Sequence, residues 1–135
     1  MKKILAVDDD SSALRALRAI LTQKGYEVAI AQSGEEALER LDDGSPDLVI
    51  LDVAMPGLSG FETCRRIRQD TRFRDTPVIF LTAKSLLSDM AEGLDAGSDL
   101  YLVKPVMASK LVALVANFLS PEAPPTRVPR AATAL

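Results

Sequence analysis

The sequence predicts one α/β domain, a doubly wound (βα)5 fold on a five-stranded parallel sheet. Three observations predict it. Short apolar runs alternate five times with amphipathic segments. Several of the runs lack polar alternation, as strands covered on both faces do. Serines sit near three helix starts and glycines lie just past three helix ends.

The elements follow in order. The first run, residues 4–7, stops at three acids, Asp8, Asp9 and Asp10. Leu14, Leu17 and Leu21 then share a helical face, with Ser11 as its cap and Gly25 past its end. The second run is residues 27–31, and Ala37, Leu38 and Leu41 form the next stripe between Ser33 and Gly44. The third run, residues 48–51, ends on Asp52, and Pro56 and Gly57 turn the chain soon after. Phe61, Cys64 and Ile67 make a third stripe after Ser59, which reads Cys64 as core. Gly57 and Gly60 read as turn residues, and no dinucleotide fingerprint or P-loop is present. The fourth run, residues 78–81, leads into Thr82 and Ala83, and Leu87, Met90 and Leu94 predict the core stripe of the next helix. The fifth run, residues 100–103, ends at Lys104 and Pro105, and Leu111, Leu114, Val115 and Phe118 close the pattern.

A length of 135 residues suits one domain, predicted over residues 1–119. Residues 120–135, SPEAPPTRVPRAATAL, hold four of the eight prolines without helical period and read as a flexible tail or the start of a linker. Hydrophobic residues at 47% allow a core without staples. A net charge of −3 with both signs scattered argues against direct nucleic-acid binding. The single cysteine excludes an intramolecular disulfide and, with no signal peptide, points to a reducing, cytoplasmic setting. No run approaches the ~18 apolar residues of a membrane span. With no histidine, the chain has no imidazole base, no imidazole metal ligand and no phosphohistidine of its own.

Open α/β sheets bind ligands beyond the carboxyl ends of their strands. That rim would gather Asp8, Asp9, Asp52, Thr82 and Lys104. Converging carboxylates repel, burial worsens the repulsion, and a hard divalent cation relieves it. Oxygen-only ligands favour Mg²⁺. A metal, an amine and a hydroxyl together neutralise a phosphoryl group in transfer, with a carboxylate as nucleophile.

The stretches ILAVDDD, LVILDVAMPGLSG, VIFLTA and LYLVKP resemble, in order and spacing, the CheY-like receiver domain of two-component response regulators, over about residues 1–119. The resemblance implies a flavodoxin-like sheet with strand order 2-1-3-4-5. It implies that Asp52 accepts a phosphoryl group from a histidine kinase or histidine phosphotransfer protein. Asp9, Asp52 and the backbone carbonyl of Ala54 would ligate Mg²⁺, or Mn²⁺ in its place, and Asp8 would hold the ion through water. Lys104 would pair with the phosphoryl group, with a cis bond to Pro105. Thr82 would move toward the phosphoryl oxygens and Tyr101 would rotate inward behind it. Ala54 and Lys84 stand where the family tunes reaction rate. Such a domain is no ordinary enzyme, since it catalyses only its own phosphorylation and dephosphorylation. It signals to a downstream protein target through its fourth helix, fifth strand and fifth helix, with phosphorylation-dependent homodimerisation as one outcome.

Plainer readings stand beside these. Asp10 is explained by helix capping alone. Thr82 by itself reads as a strand-end residue, and Tyr101 as packing. Val112 and Ala116, off the core stripe of a helix whose only charge is Lys110, read either as a partner surface or as ordinary small surface residues. The chain is either a single-domain receiver or the amino-terminal receiver of a longer regulator. An aspartyl phosphatase would want a second acid two past Asp52, where Ala54 stands, and a flavin-binding module would not put three aspartates in its phosphate loop.

Overall fold

In the computed structural model, which describes residues 1–120, the strands are β1 (Lys3–Val7), β2 (Glu27–Ala31), β3 (Leu48–Leu51), β4 (Val78–Thr82) and β5 (Leu100–Val103). The helices are α1 (Ser11–Gln23), α2 (Gly34–Asp43), α3 (Gly60–Gln69), α4 (Leu87–Ala96) and α5 (Ala108–Leu119). All strand pairs are parallel, in the order β2-β1-β3-β4-β5. The fold class and strand order are those expected. The expectation for residues 121–135 lies outside the described residues.

Strand side chains alternate between two cores, one on each face of the sheet. Leu5, Val7, Val49, Leu51 and Phe80 pack with α2 and α3 residues such as Leu41, Cys64 and Ile67. Ile4, Leu48, Ile50 and Ile79 pack with Leu21 of α1 and Leu111 and Val115 of α5. Burying each such side chain contributes about 1.5–3 kcal/mol. β3 is buried along its whole length, which is why its sequence shows no alternation.

Two local expectations need correction. The cap of α1 is Asp10, whose carboxylate accepts from Ser12 and Ala13 N–H; Ser11 is the first helical residue. Ser33 and Ser59 cap α2 and α3 as expected. On α4 the core stripe is misplaced: Leu87 is 82% and Leu94 66% exposed, while Gly93 and Ala96 are buried. Gly93 faces inward because the rings of Tyr101 and Phe80 already fill the space beneath it, and Gly97, just past the helix, lies against the stem of Arg68.

One end of the sheet is tied by a buried ion pair. Arg68 on α3 donates to Asp99 Oδ2 at 2.9 Å and to the carbonyls of Gly97, Phe73 and Thr76. Asp99 also accepts the N–H of Val78, the first residue of β4. The chain thereby joins α3, the start of β4 and the end of α4 at the edge opposite the carboxyl rim.

Candidate functional site

The sheet ladder continues one residue past three strands. Asp8 N–H donates to the Ala31 carbonyl (3.1 Å), Asp52 N–H to Val7 (2.9 Å) and Lys104 N–H to Thr82 (2.8 Å). Three site residues therefore hang from backbone that the sheet itself holds. The buried strand β3 thereby fixes Asp52 at the rim, just before the chain turns. A groove of roughly 550 Å³ lies between the loop after β3 and α4, lined by Val53, Ala54, Ser59 and Lys84 among others. A second, apolar cleft of about 310 Å³ lies between α1 and α5 and ends at Asp8 and Lys104.

Carboxylate oxygens of Asp8, Asp9 and Asp52 lie within 4.8 Å of one another. Asp8 and Asp52 are each only 7% exposed, whereas Asp9 faces solvent. Lys104 Nζ donates to Asp8 Oδ2 at 2.7 Å. Asp8 Oδ1 accepts the N–H of Asp10, and Asp52 Oδ1 that of Val53. Oxygen donors from two strand ends at this separation fit a hard divalent cation, with Asp9 open to water.

The charges at the rim are strained. Burial pushes the Asp52 carboxyl above the ordinary carboxylate range; the Thr82 hydroxyl, Lys104 and the Val53 N–H pull it down, and Asp8 pushes it up again. Burial works against the charge on Lys104, but the hydrogen bond and field of Asp8, backed by Asp52 and Asp10, hold its ammonium above the usual lysine value. Burial also raises the Tyr101 phenol, with Asp89 and Asp52 adding to the effect.

Thr82 is fully buried at the end of β4. Its hydroxyl accepts the N–H of Lys84 at 3.3 Å, and the Lys84 carbonyl accepts the Tyr101 hydroxyl at 2.9 Å. Threonine and tyrosine are thus joined through the backbone of a residue that sequence reasoning noted only for its charge. Ala54 is exposed at the rim, and the Lys104–Pro105 bond is cis. Asp10 caps α1 and adds its field at Lys104.

Gly60 was read as a turn residue, but it opens α3. A Cβ there would strike the Asp52 carbonyl and lie 2.7 Å from Val53 Cα. Its N–H donates to the Val53 carbonyl at 2.9 Å. The bare Cα lets the helix start press against the backbone that carries the acid. A glycine directly after a capping serine was the available signal.

Comparison with known proteins adds independent findings. The family description "response regulator receiver domain" matches residues 4–116. Transcriptional regulatory protein AfsQ1 of Streptomyces coelicolor is 44% identical over 115 residues, which are 85% of this chain and 50% of that protein. Response regulator MprA of a Mycobacterium species is 43% identical over 122 residues, 90% of this chain and 52% of MprA. The chain spans about half the length of these curated relatives. Among solved structures, Vibrio cholerae chemotaxis protein CheY4 superposes with a TM-score of 0.84 at 34% identity, covering 88% of this chain and 99% of that one. The BeF3-activated DrrB receiver domain does so with a TM-score of 0.80 at 37% identity, over 88% and 97% of the two chains. The expectation of no direct nucleic-acid binding finds no support here, since one relative is named a transcriptional regulatory protein.

Proposed function

The chain belongs to the response regulator receiver domain family of two-component systems, and from that premise we propose that Asp52 is its phosphoacceptor. The family is a signalling domain and no classical enzyme family. The observation that carries the proposal is the convergence of Asp8, Asp9 and Asp52 within 4.8 Å beside the Lys104 ammonium. A carboxylate oxygen of Asp52 attacks the phosphorus of a phosphohistidine, the P–N bond breaks, and the imidazole of the donor leaves. Membership of the family implies a histidine kinase or phosphotransfer protein as the donor, and the phosphohistidine is not supplied by these 135 residues, which hold no histidine.

Asp9, Asp52 and the Ala54 carbonyl are the direct ligands we assign to Mg²⁺, with Asp8 acting through water; Mn²⁺ fits the same oxygens. When bound, such an ion would supply positive charge facing the phosphoryl oxygens. Lys104 exchanges its Asp8 contact for a phosphoryl oxygen, and Thr82 donates its hydroxyl to another. Pulling Thr82 shifts Lys84 and hence Tyr101, which reshapes the face of α4, β5 and α5 for a downstream protein or a second copy. The domain also hydrolyses its own acyl phosphate, with water as acceptor. A cytoplasmic setting suits the buried thiol of Cys64, which is in no disulfide.

The half-length match to AfsQ1 and MprA favours a second reading of scope, in which this receiver is the amino-terminal part of a longer regulator that acts on transcription. Mass spectrometry after incubation with acetyl phosphate and Mg²⁺ tests the assignment. The expected result is a gain of one phosphoryl group that Asp52→Asn abolishes; equal labelling of that variant moves the acceptor elsewhere.

A further inference from the structure

Gly93 lies in the interior of α4, where glycine is less favourable than alanine. An isolated glycine in such a position has a packing reason or a functional one. A Cβ at Gly93 would stand 2.8 Å from Tyr101 Cδ2, 3.1 Å from Tyr101 Cε2 and 3.3 Å from Phe80 Cδ2. The first obstacle is thus the ring of Tyr101 on the neighbouring strand. That ring leans on Phe80 with centroids 5.8 Å apart, and Phe80 meets Phe61 edge to face at 5.4 Å. Both rings beneath it are buried, so Tyr101 cannot sink away from an added methyl. In this position its hydroxyl donates to the carbonyl of Lys84, two residues past Thr82.

The geometry points to Gly93 as the seat of Tyr101: its missing side chain lets the ring lie against α4 and tie β5 to the loop that carries Lys84. Gly93 is a positioning residue, acting through Tyr101. Its role in signalling rests on the reading of Thr82 and Tyr101 as the switch; the seat itself does not. Filling it drives the ring outward and cuts the tie, while Asp52, at another strand end, keeps its acids and its lysine.

The test is a cycle of Gly93→Ala, Tyr101→Ala and the double variant, each in the full chain. Alanine is the better helix former, so Gly93→Ala should raise the melting temperature when Tyr101 has been truncated and should lower it when the ring is present. The chain has two tyrosines and no tryptophan, so Tyr26→Phe leaves Tyr101 as the sole fluorophore. In that background Gly93→Ala should increase acrylamide quenching of Tyr101 and remove the change in quenching on adding beryllofluoride and Mg²⁺. Equal melting shifts in both backgrounds with unaltered quenching would overturn the seat. Acetyl phosphate labelling is run alongside: its absence in the unaltered chain defeats the phosphoacceptor reading, whereas its presence with unaltered quenching defeats only the role of Gly93.

Discussion

Burial holds Asp52 above the ordinary carboxylate value of 3.8, and that direction has a consequence for stability. The native state keeps the proton at pH values where the unfolded chain has released it. Stability therefore falls as pH rises from 3.8 through the raised native value, and the loss persists at neutral pH. Asp52→Asn removes it. Thermal denaturation should show the variant more stable than the parent at neutral pH, with the gain shrinking as pH falls toward 3.8. Mg²⁺ should act oppositely on the pair: at ten times its Kd it adds ~1.4 kcal/mol to the parent and much less to the variant. The acids, the lysine and the threonine were legible because each follows an apolar run directly. The tie from Tyr101 to the Lys84 carbonyl was not, since a backbone acceptor carries no mark in the sequence. Gly60 and Gly93 were visible as letters, but what they approach depends on the packing of distant elements.

Strands were legible to within a residue because β1, β3 and β4 are near-continuous buried runs of strand length, and the partly exposed β2 and β5 keep the same length and spacing between helical stripes. Helices were legible where large apolar residues face inward, as on α1 and α3. On α4 the rule fails, because Gly93 makes room for the rings of Tyr101 and Phe80, and Gly97 past its end for the stem of Arg68. The Arg68–Asp99 pair was likewise invisible, since α3 shows Arg68 among other arginines on a helix of ordinary polarity. Its side chains are 2% and 0% exposed, and Arg68 reaches backbone carbonyls as well. Replacing Arg68 with Met strands the buried Asp99 charge. Urea denaturation should show a loss of about 3–5 kcal/mol. Labelling of Asp52 per folded molecule should be unchanged, because the pair lies at the far end of β4 from Thr82.

At the scale of the whole molecule the exposed leucines of α4 stand beside β5 and the nearly uncharged α5. Leu87→Asp with Leu94→Asp should change folding stability by less than ~0.5 kcal/mol per site, because both side chains already face solvent. Light scattering with and without beryllofluoride is expected to show the parent associating when loaded and this variant staying monomeric. Among the described residues no helix is long and apolar enough to cross a membrane. The two ends of α4 are held unequally. Its last turn is clamped: Gly97 and Ser98 donate back to Leu94 and Gly93, and Arg68 grips the Gly97 carbonyl. Its first turn starts at Leu86, which has no side-chain acceptor, and rests on the Leu86–Asp89 and Tyr101–Lys84 contacts. If Thr82 is drawn to a phosphoryl group as proposed, a helix held this way would act as a lever, pivoting on its clamped heel and moving most at its lightly held toe.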